Sequence, residues 1–306
     1  MTRPQQGSLL AVSAFIIWGL FPLYFKLISH IAALEILSNR IIWAAICLFF
    51  LLFILKRWHD VLAIIRNPQQ IIYLMISTLL IVTNWGVYIW AVNSNNIIEA
   101  SLGYYINPLF NIVLGYVLLK EKLRGLQWFA VFLAAVGVAI QLVTYGEVPW
   151  VALTLAVSFG LYGFVHKKVN VGSVPSLFIE TIILLPVAFI FLGLLSSSNT
   201  GPVLWTLNDW LLLMIAGPVT IIPLLLFTGA AKRINYSTLG FLQYIAPSIL
   251  FVLALFLYDE PFSVAKFITF ILIWSALLLL TIDMLKHQRL KRRHKKQQAM
   301  LVNEPR

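Results

Sequence analysis

The sequence predicts an all-α integral membrane protein of ten transmembrane helices, arranged as two inverted five-helix repeats. Three observations carry that expectation. The composition is very apolar, ten apolar stretches reach spanning length, and a motif recurs 139 residues along the chain. Of the 306 residues, 61% are hydrophobic and 11% charged, against roughly 25% charged in an ordinary soluble domain. A soluble fold of this length could not hide so much apolar surface.

A helical span needs about 20 mostly apolar residues. Such stretches lie near 8–27, 34–55, 70–92, 98–119, 125–143, 149–166, 176–196, 208–231, 237–258 and 264–285. The first follows Arg3 and has no small-residue cleavage site after it, so it reads as a helix rather than a signal peptide. Connections are short. The longest, 197–207, carries Asn, Gly and Pro as turn formers.

Lys and Arg mark the cytoplasmic ends of spans. With ten spans and a cytoplasmic N-terminus, 19 of the 22 fall on inner segments. The reverse orientation inverts that bias, and a different helix count scrambles it. Both termini are therefore expected in the cytoplasm. The run from Lys286 to Lys296 directly follows an apolar stretch. It reads as a juxtamembrane anchor on anionic lipid, not as a nucleic-acid site.

The halves resemble each other. Tyr105-Ile106-Asn107-Pro108 precedes Glu121 just as Tyr244-Ile245-Ala246-Pro247 precedes Glu260, each member shifted by 139 residues. Trp18-Gly19-Leu20-Phe21 stands opposite Phe159-Gly160-Leu161-Tyr162 at a shift of 141. The expected division is a first repeat over 1–145, a second over 146–285 and a basic tail over 286–306. Five helices per repeat is an odd number, so the second must start on the opposite side of the membrane.

Ionisable groups inside a bilayer cost roughly 2.5–3.5 kcal/mol on insertion scales and are functional candidates by default. Arg40, about two turns into the second span, is the first. It could pair with Glu35 or Glu99 to pin helix ends, snorkel to the interface, or hold an anionic or zwitterionic substrate. Glu99 opens the fourth span. Glu180 lies about one turn into the seventh, close to the repeat position of Arg40, and could carry a coupling proton or cap its helix. Asn84, Tyr88, Tyr104, Asn107, Gln243 and Tyr244 are candidates for lining a central site. Pro108 and Pro247 each free a carbonyl at matching places in the repeats.

Cys47 stands alone, and the five histidines show no metal-ligand spacing. No cofactor is expected. Walker, GxSxG and HExxH patterns are missing, so the chain is expected not to be an enzyme. Without a nucleotide site, any pumping runs on an ion gradient or on exchange. Two other readings stand beside a transporter: a membrane enzyme acting on lipid-linked substrates, and a non-transporting sensory subunit. Expected partners are a small-molecule substrate, lipids, protons and a second copy of the chain, with no nucleic acid.

WGLFPLYFK (18–26), NWGVYIWAVN (84–93), EASLGYYINPLFN (99–111), LGYVLLKEKL (114–123), STLGFLQYIAP (237–247) and YDEPFS (258–263) run along nearly the whole chain. In these segments it resembles the RarD-type permeases, also called chloramphenicol-sensitive proteins, of the EamA branch of the drug/metabolite transporter superfamily. The resemblance implies a bacterial inner-membrane permease of two inverted EamA repeats that exports or exchanges metabolites by alternating access. Two departures bear on coupling. Asn39-Arg40 stands where the family has a His-Arg pair, and Asn95-Asn96 where it has Gly-His.

Overall fold

The computed structural model describes residues 2–94, 97–146, 148–169, 171–196, 205–257 and 264–302. Among them the secondary structure is entirely helical. The helices are α1 (Arg3–Gly19), α2 (Phe21–Leu27), α3 (Ala33–Ile54), α4 (Trp58–Ile65), α5 (Pro68–Asn93), α6 (Ile97–Val117), α7 (Gly125–Tyr145), α8 (Trp150–Lys168), α9 (Ser173–Ser196), α10 (Leu207–Ala231), α11 (Tyr236–Gln243), α12 (Ile245–Leu257) and α13 (Val264–Val302). Counting α1 with α2 and α11 with α12, eight described helical rods are long and apolar enough to cross a membrane, and α13 adds a shorter apolar stretch, Phe267–Asp283. Their outward faces are apolar: Phe53, Leu79, Phe132 and Ile190 are all exposed. An apolar exterior suits hydrocarbon, where helices satisfy their own backbone hydrogen bonds.

The structure departs from the sequence expectation at four places. The first apolar stretch breaks after Gly19, because Pro22 has no N–H to offer the Trp18 carbonyl; Leu23 instead donates to Leu20 at 3.1 Å. The ninth breaks at Tyr244 as the proline there leads one to expect, since Pro247 cannot serve the Gln243 carbonyl and Tyr244 donates to Phe241 at 3.2 Å; the departure is in the first half. Pro108, at the matching place in the first half, lies inside a continuous α6, since one missing bond can bend a helix without ending it. Between α3 and α5, α4 is an extra short helix. It buries Val61 and Ile64 and sets Trp58 edge-on against Phe49 and Phe178, with ring centroids 5.2 and 5.4 Å apart. The last helix runs through the basic tail to Val302. Glu260 and the 259–263 turn lie outside the described residues.

Helix pairing repeats between the halves. α1 packs on α10 as α8 packs on α5, and α6 packs on α8 as α11 and α12 pack on α1. α3 packs on α9, α6 on α11 and α7 on α13. Two close approaches follow the same rule. A methyl on Gly19 would stand 2.8 Å from Ile249, and one on Gly160 would stand 2.5 Å from Phe110. Ile249 and Phe110 are themselves 139 positions apart. Glycine is needed at both places because nothing larger fits between the helices.

The chain's two kinds of turn gather at opposite ends of the bundle. At one end Lys167 donates to the Ala231 and Ile234 carbonyls at 3.0 and 2.6 Å, Lys232 to the Val171 carbonyl, and Arg124 to Asp283. Glu121 belongs to this end too. α6 ends through Lys120 in the left-handed region (φ 53°), which turns Glu121 toward α11. Its carboxylate accepts the backbone N–H groups of Tyr236 and Ser237 at 2.6 and 2.9 Å. At the other end His30 meets Asp209 at 2.8 Å and Trp90 meets Trp150, centroids 4.9 Å apart.

Candidate functional site

A narrow cavity of about 30 Å³ lies between α3, α5, α8, α9 and α10. Apolar side chains form most of its wall, among them Ile41, Ala44, Leu48, Ile81, Trp85, Leu184 and Ile221. Arg40 and Glu180 are the charged residues on it, with Tyr162, Thr181 and Thr220 as further polar groups. The two ionisable residues singled out in the second and seventh spans therefore share one cavity. They sit on α3 and α9, which pack on each other.

Arg40 is held by its Nε, which donates to Thr220 Oγ1 at 2.9 Å. Its guanidinium carbon stands 5.6 Å from the Phe25 ring centre and 5.4 Å from that of Trp85, close enough for cation–π attraction. Its charge also acts on the hydroxyls of Tyr24, Tyr88 and Tyr104, and the last two hydrogen-bond to each other. The described ion pairs are His30–Asp209, Arg57–Asp60, His59–Asp60, Arg124–Asp283 and His166–Glu180, which leave Arg40 out. The Glu99 side chain lies outside the described residues.

Glu180 is buried beside two groups from α8. His166, fully buried, brings Nε2 to 2.9 Å from Glu180 Oε1, and Tyr162 donates its hydroxyl to Oε2 at 3.4 Å. The imidazole–carboxylate contact is close but lacks the alignment of a hydrogen bond. Neither His166 nitrogen, nor Glu180 Oε1, has a directed partner among the described residues. Beyond the end of α10, burial pushes the Lys232 ammonium down to about 8, while the Glu180 charge raises it.

The amide candidates sit elsewhere, as ties between helices. Asn84 donates to the Leu155 carbonyl at 2.9 Å and to Ser158 Oγ at 3.1 Å. Asn107 donates to the Ala156 carbonyl at 2.6 Å, Gln243 to Asn107 Oδ1 at 2.5 Å and Asn111 to Gln243 Oε1 at 2.6 Å. The Tyr244 hydroxyl donates to the Tyr105 carbonyl at 3.2 Å. Asn84, Asn107, Gln243 and Tyr244 are all absent from the wall of the Arg40 cavity. His166 and Thr220 carried no sequence signal. A lone histidine at the basic end of a helix resembles any interfacial residue, and a threonine in a span resembles any helix filler.

Both halves match one family profile, that of the EamA-like transporter family, over residues 5–143 and 148–282. An uncharacterized transporter of Vibrio cholerae is 49% identical over 94% of this chain and 96% of its own length. Protein RarD of Escherichia coli K12 is 48% identical over 94% of this chain and 97% of its own. A solved crystal structure at 20% identity superposes with a TM-score of 0.70, covering 92% of this chain and 98% of that one, which speaks to fold alone. The chain is thus a multi-pass membrane permease of the drug/metabolite transporter type and belongs to the EamA-like transporter family, among the RarD-type proteins.

Proposed function

We propose that the chain is a secondary transporter that carries a small anionic molecule through the Arg40 cavity by alternating access between two inverted five-helix halves. The observation that carries this reading is the state of Arg40. A guanidinium in a membrane interior normally finds a carboxylate or an interface. Here it lies between two aromatic rings on a cavity wall, with only a threonine hydroxyl on its Nε and no acidic partner among the described side chains. Its outer nitrogens can take a carboxylate in the two-pronged geometry that arginine favours, and the rings offer an apolar bed beside it.

Ten crossings are supported by the way described segments alternate between the basic end and the Trp90–Trp150 end. An inverted duplication over 1–145 and 146–285 is supported by the mirrored helix pairs, the paired glycines and the twofold match to one family profile. A basic end facing the cytoplasm of a bacterial inner membrane agrees with the usual charge bias. Rocking of one half on the other opens the cavity to each side in turn.

The test is flux by purified protein in liposomes, using labelled carboxylates, amino acids, other small metabolites and chloramphenicol, with and without a pH gradient. Movement of a carboxylate that Arg40→Ala abolishes, at equal insertion, supports the reading. Undiminished flux in Arg40→Ala, or no flux of any compound by folded protein, overturns it.

A further inference from the structure

We propose that Glu180, on the wall of this cavity, forms a proton-binding site with the buried His166 beside it, and that the cavity carries a monocarboxylate together with one proton. The proposal rests on the reading of Arg40 as the anion anchor and adds the coupling ion to it.

Geometry comes first. Glu180 Oε1 and His166 Nε2 are 2.9 Å apart in a fully buried setting, with no directed hydrogen bond on either atom among the described residues. One proton between them gives either a carboxylic acid beside a neutral imidazole or a carboxylate beside an imidazolium, neutral as a pair in both cases. Loss of that proton leaves a carboxylate beside a neutral ring, a net charge of minus one.

The groups facing Glu180 are few. α8 contributes Tyr162 and His166, and α3 contributes Arg40 across the cavity. Lys232 lies past the end of α10 and is held by the Val171 carbonyl. α5 presents Ile81 and Trp85. α4 presents Trp58 and keeps Asp60 with Arg57 and His59.

Charge then limits which states are comfortable in a low-dielectric cavity, where an uncompensated charge is costly. With no substrate and no proton, the Glu180 carboxylate faces Arg40 across the cavity and the Lys232 ammonium past the end of α10. A bound monocarboxylate takes up the Arg40 charge and brings a second carboxylate to the same wall, and a proton on the Glu180–His166 pair relieves that repulsion. Binding of anion and proton is then reciprocal: each raises affinity for the other.

The experiment uses the full chain in lipid nanodiscs with N-acetylphenylalaninate, a monocarboxylate with an aromatic ring and no amino charge. Calorimetry in buffers of different ionisation enthalpy counts protons taken up on binding. We expect about one proton per carboxylate on the alkaline side of the site's titration, and an affinity that falls up to tenfold per pH unit there. In Glu180→Gln the proton count falls to zero and the affinity profile flattens. His166→Gln shifts the profile. In parallel, the acid-minus-alkaline infrared spectrum of substrate-free protein should lose one signal in each variant. That readout needs no ligand and no transport.

Equal proton counts and equal infrared differences in wild type and both well-folded variants overturn the proton site, even if binding depends on Arg40. Binding that survives Arg40→Gln, or no binding at all by protein whose infrared signal is intact, overturns the anchor reading and leaves the proton site standing without its cargo.

Discussion

Ser237 gives both its backbone N–H and its hydroxyl to one oxygen of Glu121, at 2.9 and 2.7 Å, across 116 positions of sequence. Tyr236 gives its N–H to the other oxygen at 2.6 Å. The first free N–H groups of α11 are thus capped by a carboxylate from the opposite half, where the helix dipole also favours negative charge. Glu121→Ala leaves them unpaired beside Gly115, and hydrogen bonds to a charged group are worth about 1.5–3 kcal/mol each. The expected result is a melting temperature lowered by several degrees in detergent, with Glu121→Gln falling between it and wild type. Equal melting of all three would show that water replaces the cap.

Gly160 is where α8 meets α6 most closely. An added methyl would stand 2.5 Å from the Phe110 ring and 2.8 Å from Asn111 Oδ1. Those neighbours belong to a packed core and an amide network, so the helices must separate. Gly160→Ala is expected to cost about 1–3 kcal/mol as an overpacked site. Gly86→Ala, with nothing within 4 Å of the new carbon, is expected to be neutral or slightly stabilising through helix propensity. Unfolding in a denaturant series of detergent mixtures checks the pair, and equal loss at both sites would refute the packing account.

Gln243 closes a buried amide triangle with Asn107 and Asn111. Gln243→Leu removes a donor and an acceptor at once, leaving Asn107 and Asn111 short of partners. Interhelical bonds of this kind in membranes are worth about 1–2 kcal/mol. Because Gln243 is off the cavity wall, the loss should appear as thermal stability while substrate KM stays within about twofold. A large KM change at wild-type stability would put Gln243 back among the substrate contacts.

The division of labour among these residues shows what sequence could and could not reveal. Arg40 and Glu180 were readable because a charge in an apolar stretch is rare and costly, and their separation of 140 residues is close to the 139-residue shift between the repeated motifs. Their meeting in one cavity needed the fold, since 140 positions separate them. The amides were readable as polar but not as ties, because an asparagine that lines a cavity and one that bonds a neighbouring helix leave the same trace in sequence. α4 was missed because eight residues are too few for a clear helical period. His166 was missed because its meaning lies wholly in Glu180, on another helix.

Thr220 positions Arg40 through a single 2.9 Å bond to Nε. Thr220→Val keeps the shape of the side chain and removes the hydroxyl. The guanidinium keeps its charge and its aromatic flanks but loses a fixed plane, so two-pronged binding of a carboxylate becomes less well ordered. Losing one such bond, at about 1.5–3 kcal/mol, is expected to raise the KM for carboxylate transport roughly ten- to a hundredfold with normal protein abundance. Arg40→Lys in the same assay should be no better than Thr220→Val, because a lysine keeps the charge without the fork. Wild-type KM in Thr220→Val would mean that the hydroxyl merely packs.

Orientation can be read with two single cysteines on a Cys47→Ala background. Val148, 78% exposed between α7 and α8, lies at the Trp90–Trp150 end. His59, whose side chain is 76% exposed on α4, lies in the segment that joins α3 to α5, near the basic end where Arg57 approaches Gly172. If basic turns face the cytoplasm, a membrane-impermeant maleimide added to right-side-out vesicles labels Val148→Cys at once. It then labels His59→Cys only after the vesicles are opened. The reverse order would invert the whole molecule in the membrane, and labelling of both before opening would break the alternation on which the ten-span reading rests.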